Sequence, residues 1–121
     1  MKRLIASIRY ALQGVGEGVS TEPNMQIHIV VAIIVVVAGF FFSIHTWEWV
    51  AIILCMMIVF GLELLNTAIE TLLDHVSPEK HDAVRKAKDI SAGAVLVGAI
   101  GSVLVGLIIF LPKLLTLVSS N

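Results

Sequence analysis

Residues 49–70 read WVAIILCMMIVFGLELLNTAIE, and this stretch decides the fold. From Trp49 to Leu62 it holds no charged and no strongly polar side chain; then Glu63, Asn66 and Glu70 arrive together. At about 100° per residue these three fall on one stripe of a helix, and Asp74 extends it. A carboxylate inside a membrane span costs roughly 2.5–3.5 kcal/mol on insertion scales. Two of them beside an amide on one face imply a protein-facing site that needs anions.

The rest of the chain agrees with a membrane setting. Its 121 residues are 58% hydrophobic and 14% charged, with a mean hydropathy of +0.99. A soluble domain of this length is far less apolar. There is room for a single domain, residues 1–121. The net charge of −1 and the lack of a basic run interleaved with aromatics give no sign of nucleic-acid binding. One cysteine, Cys55, excludes an intrachain disulfide and a CxxC metal site, and reads as a small apolar side chain. No long apolar core precedes Val19, so the start of the chain does not read as a signal peptide.

Working outward, three spans follow: 26–44, 48–73 and 90–117. Each can cross about 30 Å of hydrocarbon at about 1.5 Å per residue. Pro112 falls near the end of the third, where a break is tolerated. That span also carries Gly93, Gly98, Gly101 and Gly106. Small residues allow close helix approach in lipid, although glycine is also simply tolerated there. Lys2, Arg3 and Arg9 precede the first span, and Lys80, Arg85, Lys86 and Lys88 separate the second from the third. The 43–48 connection has no basic residue. The positive-inside rule therefore puts the N-terminus and a 74–89 loop in the cytoplasm and the C-terminus outside. Trp47 and Trp49 become an aromatic anchor at the outer interface.

Residues 1–20 form a different element. Leu4, Ile5, Ile8, Ala11, Leu12, Val15 and Val19 share one helical face, opposite Lys2, Arg3, Arg9, Gln13 and Glu17. This is an amphipathic helix, lying on the membrane surface or packed on another protein element. Gly14, Gly16 and Gly18 should weaken its last turn. The expected fold is an all-α membrane protein with this surface helix and three transmembrane helices.

Depth sharpens the acidic stripe. Counted from Glu48 at the outer face, Glu63 lies about 22 Å down and Glu70 about 33 Å down. The first is just inside the cytoplasmic edge of the core and the second is at it. Glu22 before the first span, and Lys88 and Asp89 before the third, reach the same level. Carboxylates and an amide carbonyl are hard oxygen ligands suited to Mg²⁺, and a second carboxylate can take a proton from a hydroxyl. Mg²⁺, a lysine and a base together suit phosphoryl transfer. The P-loop and protein-kinase signatures are absent, and the GVGEG run at 14–18 has no preceding strand. The residues alone reach a metal-dependent reaction at the cytoplasmic interface. They equally allow a small channel or transporter subunit with Glu63 and Glu70 on an ion path. A non-catalytic assembly subunit would account for the glycines but not for the stripe. The four histidines scatter along the chain and do not read as a zinc site. His28 could face head groups or cap a helix start.

ELLNTAIE at 63–70, followed after a short polar stretch by KAKDISAGAV at 86–95, resembles the prokaryotic diacylglycerol kinase family of small membrane enzymes. The resemblance covers nearly the whole chain, including the basic amphipathic start and the acid before the first span. It implies transfer of the γ-phosphate of MgATP to a lipid alcohol, in a homotrimeric helical bundle with sites shared between subunits of a bacterial cytoplasmic (inner) membrane. It implies Glu63 as general base, Asn66 in its support, and Glu22 and Glu70 as ligands of the metal on ATP. Tyr10, Glu79, His81, Lys88 and Asp89 would contact the nucleotide, and Arg3 and Gln26 would lie toward the lipid head group. The Gram-negative branch carries a second acid where this chain has His28. Asn24 and His28, with the FLP at 110–112, look more like the Gram-positive branch, many of whose members phosphorylate undecaprenol, although Pro23 departs from the basic residue expected there. Undecaprenol is therefore favoured over diacylglycerol.

Overall fold

Four helices account for nearly the whole chain: α1 (Lys2–Thr21), α2 (Pro23–Phe41), α3 (Thr46–Val76) and α4 (Asp82–Ser119). The computed structural model describes residues 1–79 and 81–121, and among them there is no strand. Lys80, counted above among the inward basic residues, lies outside the described residues. Helices are the form that satisfies every backbone group within its own segment, which lipid demands. α2, α3 and α4 are each long and apolar enough to cross a membrane.

The helix ends follow local chemistry. A single extended residue, Glu22, joins α1 to α2 (φ −98°, ψ 113°). Pro23 forces that residue out of the helical region and then starts α2, where its missing N–H costs nothing. The Gln26 side chain reaches back and donates to the Val19 and Ser20 carbonyls at 3.4 and 3.3 Å, covering the open end of α1. α2 ends in a Schellman turn: Ser43 N–H donates to Phe40 O and Ile44 N–H to Gly39 O. Ser43 takes the left-handed conformation (φ 48°) that glycine usually supplies there.

Several expectations shift. The glycines of α1 do not fray it, because the helix runs unbroken to Thr21. Gly18 is buried, and a Cβ there would lie 2.5 Å from Leu64 Cδ2; the bare backbone lets α1 dock on α3. The 74–89 loop gives up both its flanks to helix, since α3 continues to Val76 and α4 opens at Asp82. Arg85, Lys86, Lys88 and Asp89 thereby stand on a rigid helix. Pro112 lies inside α4, which continues through it. Of the α4 glycines, Gly98 is the one where an added Cβ would crowd a neighbour among the described residues, at Leu62 and Ile58; at Gly93, Gly101 and Gly106 it would meet nothing within 4 Å. Trp47 is exposed as an anchor should be, but Trp49 turns inward onto Phe40 (4.9 Å between rings) and Gly39.

α3 is the central helix. It forms an antiparallel hairpin with α4, its most extensive contact, and also touches α2 and α1. The core is small: Ile44, Ile52 and Ile109 at the end near the α2–α3 turn, with Val35, Phe42, Trp49 and Phe110 around them. Most other large apolar side chains point outward. Water would penalise that surface by roughly 25 cal/mol per Å², whereas lipid or a second copy of the chain would not. Glu48 near the start of α3 is 4% exposed; it accepts from Lys113 of α4 at 2.8 Å and from the His45 backbone N–H at 2.9 Å. This pairing fastens the far end of the hairpin.

Candidate active site

The stripe on α3 sits where that helix meets all three neighbours. Glu63 is 2% exposed and Asn66 7%. From α2 comes His28, its Nε2 3.7 Å from Glu63 Oε2. From α4 comes Ser91, whose hydroxyl donates to Asn66 Oδ1. α1 contributes the close approach of Gly18 to Leu64 beside them. Ser91 thus fixes the Asn66 amide on the same face of α3 as Glu63.

Toward the α3–α4 turn the character changes from buried to charged. Asp74 pairs with Lys88, tying the two helices together. Arg85 bridges Asp82 and Asp89 at 2.8 and 2.9 Å along one face of α4. The Asp82 hydrogen bond first, and the Asp89 charge next, hold its guanidinium above its ordinary value, so it stays cationic. His81 Nε2 stands 3.3 Å from Glu79 Oε2. These groups surround an open cleft of about 430 Å³ lined by Asp74, Ser77, Pro78, Glu79, His81, Asp82, Val84, Arg85 and Lys88.

Of the residues expected to contact a nucleotide, the structure therefore brings Glu79, His81 and Lys88 to one cleft, with Asp89 beside it on Arg85. Tyr10 and Arg3 lie on the exposed part of α1, Tyr10 at 70% exposure, and meet no partner among the described residues. Gln26 is engaged with the end of α1. Glu22 and Glu70 are half-buried, and neither forms an ion pair or side-chain hydrogen bond among the described residues. Their free carboxylates are the donor type a divalent metal takes. No group of three His, Cys, Asp or Glu side chains converges among the described residues. A metal carried by a nucleotide is held by one or two carboxylates plus phosphate oxygens, not by a protein cage. The donor set fits that role.

Sequence reading missed three partners: Ser91 for Asn66, Asp74 for Lys88, and His28 for Glu63. A second cavity, about 370 Å³, is an apolar groove between α2 and α4 over α3. It starts at Ile27 and His28 and runs away from the charged end toward Ile52 and Gly106. The groove thus begins at His28, 3.7 Å from the buried carboxylate, and the charged cleft lies farther along α3 in the other direction.

Comparison with known proteins places the chain in a family. Residues 9–110 match the model of a family described as prokaryotic diacylglycerol kinase. The chain is 42% identical over 114 residues to the undecaprenol kinase of Bacillus subtilis, covering 94% of this chain and 93% of that protein. It is 38% identical over 115 residues to a diacylglycerol kinase of Synechocystis sp., covering 94% of this chain and 66% of the relative. It is 30% identical over 112 residues to the diacylglycerol kinase of Haemophilus influenzae, covering 91% and 95% of the two.

Proposed function

The chain belongs to the prokaryotic diacylglycerol kinase family of membrane lipid kinases, and from that premise we propose that it transfers the γ-phosphate of MgATP to undecaprenol in preference to diacylglycerol. The observation that carries the reading is Glu63, a carboxylate 2% exposed between an apolar groove and a charged cleft. A lipid chain in the groove brings its hydroxyl to that carboxylate. The hydroxyl proton passes to a Glu63 oxygen as the lipid oxygen bonds to the γ-phosphorus. The bond from that phosphorus to the bridging oxygen breaks, and ADP leaves. Glu22 and Glu70 hold Mg²⁺, which neutralises phosphate charge when bound. Asn66 keeps the stripe in register. Tyr10, Glu79, His81, Lys88 and Asp89 contact the nucleotide, and Arg3 and Gln26 lie toward the lipid head group.

Undecaprenol as acceptor is supported by the Bacillus relative and by His28 in place of a second acid. The enzyme is one catalytic domain over residues 1–121 in a bacterial inner membrane, with the N-terminus and the 74–89 segment cytoplasmic and the C-terminus outside. It works as a homotrimer with sites shared between subunits. The largely outward-facing apolar surface and the uncovered Gly93, Gly101 and Gly106 are consistent with that assembly. Membership in a kinase family removes the case for an ion path through Glu63 and Glu70.

The test is radiolabel transfer from γ-labelled ATP, with purified protein offered undecaprenol, diacylglycerol and a short-chain alcohol in mixed micelles. Undecaprenol should label fastest. Faster labelling of diacylglycerol would overturn the acceptor, and no labelled lipid with intact ATP would overturn the kinase reading.

A further inference from the structure

His28 has no part in the mechanism just given, yet it is the side chain best placed to act on Glu63. Its Nε2 lies 3.7 Å from Glu63 Oε2, with its own side chain 22% exposed. Among the described residues no other basic side chain comes within ion-pair reach of that carboxylate, and Glu63 takes part in no side-chain hydrogen bond. The neighbouring groups are otherwise committed. Asn66 is held by Ser91, and Lys88 by Asp74. His28 also lines the end of the apolar groove, so its ring stands at the seam between lipid chain and carboxylate.

We infer that His28 is a positioning residue for Glu63: its Nε2–H orients one carboxylate oxygen, Oε2, and leaves Oε1 turned to the acceptor hydroxyl. A carboxylate on a long flexible side chain has several rotamers, and only one meets a hydroxyl at the 2.6–3.2 Å that proton transfer needs. The 3.7 Å separation is beyond a hydrogen bond but closes with a small side-chain rotation, as catalytic contacts do on substrate binding. The imidazole reaches Glu63 because α2 and α3 pack side by side below the Schellman turn, which sets their relative height. The inference rests on Glu63 being the base.

The experiment crosses His28→Leu, His28→Ala and His28→Gln with wild-type and Glu63→Gln backgrounds, using the full chain in mixed micelles. His28→Leu and His28→Ala should each lower kcat by about 10–100-fold while the KM for MgATP stays within about twofold. His28→Gln keeps an N–H donor and should recover most of the loss. In the Glu63→Gln background the same changes should alter the residual rate by less than about threefold, because the group they orient no longer takes the proton. Equal losses in both backgrounds, a glutamine variant no better than alanine, or full kcat without the imidazole would each overturn the inference. A wild-type enzyme that labels no lipid, or a Glu63→Gln enzyme at full rate, would instead overturn the reading on which it rests.

Discussion

Replacing Glu63 with glutamine separates proton abstraction from the rest of the reaction. The substitution keeps length and shape and removes only the basic oxygen. Among the described residues no other carboxylate pairs with Glu63 and could replace it: its one ionisable partner there is His28, and its stripe neighbour Asn66 cannot act as a base. At 2% exposure there is little room for bulk water to substitute. The full general-base contribution should therefore be lost, about 10²–10⁴-fold in kcat, or roughly 2.7–5.4 kcal/mol of barrier. Nucleotide binding should hardly change, since the charged cleft at Asp74 lies about 16 Å farther along α3 at about 1.5 Å per residue. Folding should survive, because a neutral amide is cheaper to bury than a carboxylate. The assay is ATP titration and turnover at saturating acceptor, with MgATP binding measured separately on the same protein. A kcat within about threefold of wild type would refute proton transfer to Glu63. Lost MgATP binding with unchanged kcat would move Glu63 into the metal site instead.

Glu70→Gln should do the converse, raising the KM for MgATP, with partial rescue by added Mg²⁺ or Mn²⁺; a pure kcat loss would count against metal binding there. Lys113→Met should lower the melting temperature in detergent, because it strands the buried Glu48 carboxylate, while the folded fraction keeps its kcat; an unchanged melting temperature would show that the pair is idle. In a Cys55→Ser background, Pro78→Cys should resist an impermeant thiol reagent in intact cells and Asn121→Cys should react, and the opposite pattern would invert the topology. Mixing inactive Glu22→Ala and Glu63→Ala proteins should restore activity if sites are shared between subunits; mixtures that stay dead would assign each site to one chain.

The sequence showed the stripe plainly because a carboxylate in an apolar run violates the pattern around it. Glu63 and Asn66 are buried as that violation requires, and Lys88, Glu79 and His81 do gather at one cleft. Helix boundaries were less readable. Pro112 and the α1 glycines signal breaks through local propensity, yet both helices run on through them. The polar stretch after Asp74 looked like loop because charge content marks solvent, not backbone conformation. His28 escaped assignment because nothing near it in sequence predicts a partner on α3. That contact exists only once α2 and α3 are packed at a particular height.

The remaining long-range pairs share one rule that the sequence does contain. Asp74 meets Lys88, Asn66 meets Ser91, Leu62 meets Gly98, and Glu48 meets Lys113. Each pair brackets the α3–α4 connection at similar distances on its two sides, as an antiparallel hairpin of two straight helices must. Three of the four are polar pairs, two of them wholly or partly buried, and Gly98 makes room for the fourth. A sliding error of one residue would rotate α4 by about 100° and carry all four out of register together. The Glu48–Lys113 pair, about 22 Å along α3 from Glu63 at about 1.5 Å per residue, therefore bears on the stability of the folded hairpin, not on the turnover of molecules that have folded. By fixing the far end of the hairpin, it supports the register that delivers Ser91 to Asn66 and Lys88 to Asp74. That same register keeps the buried carboxylate and the charged cleft on one continuous face, where a lipid hydroxyl and a nucleotide phosphate have to meet.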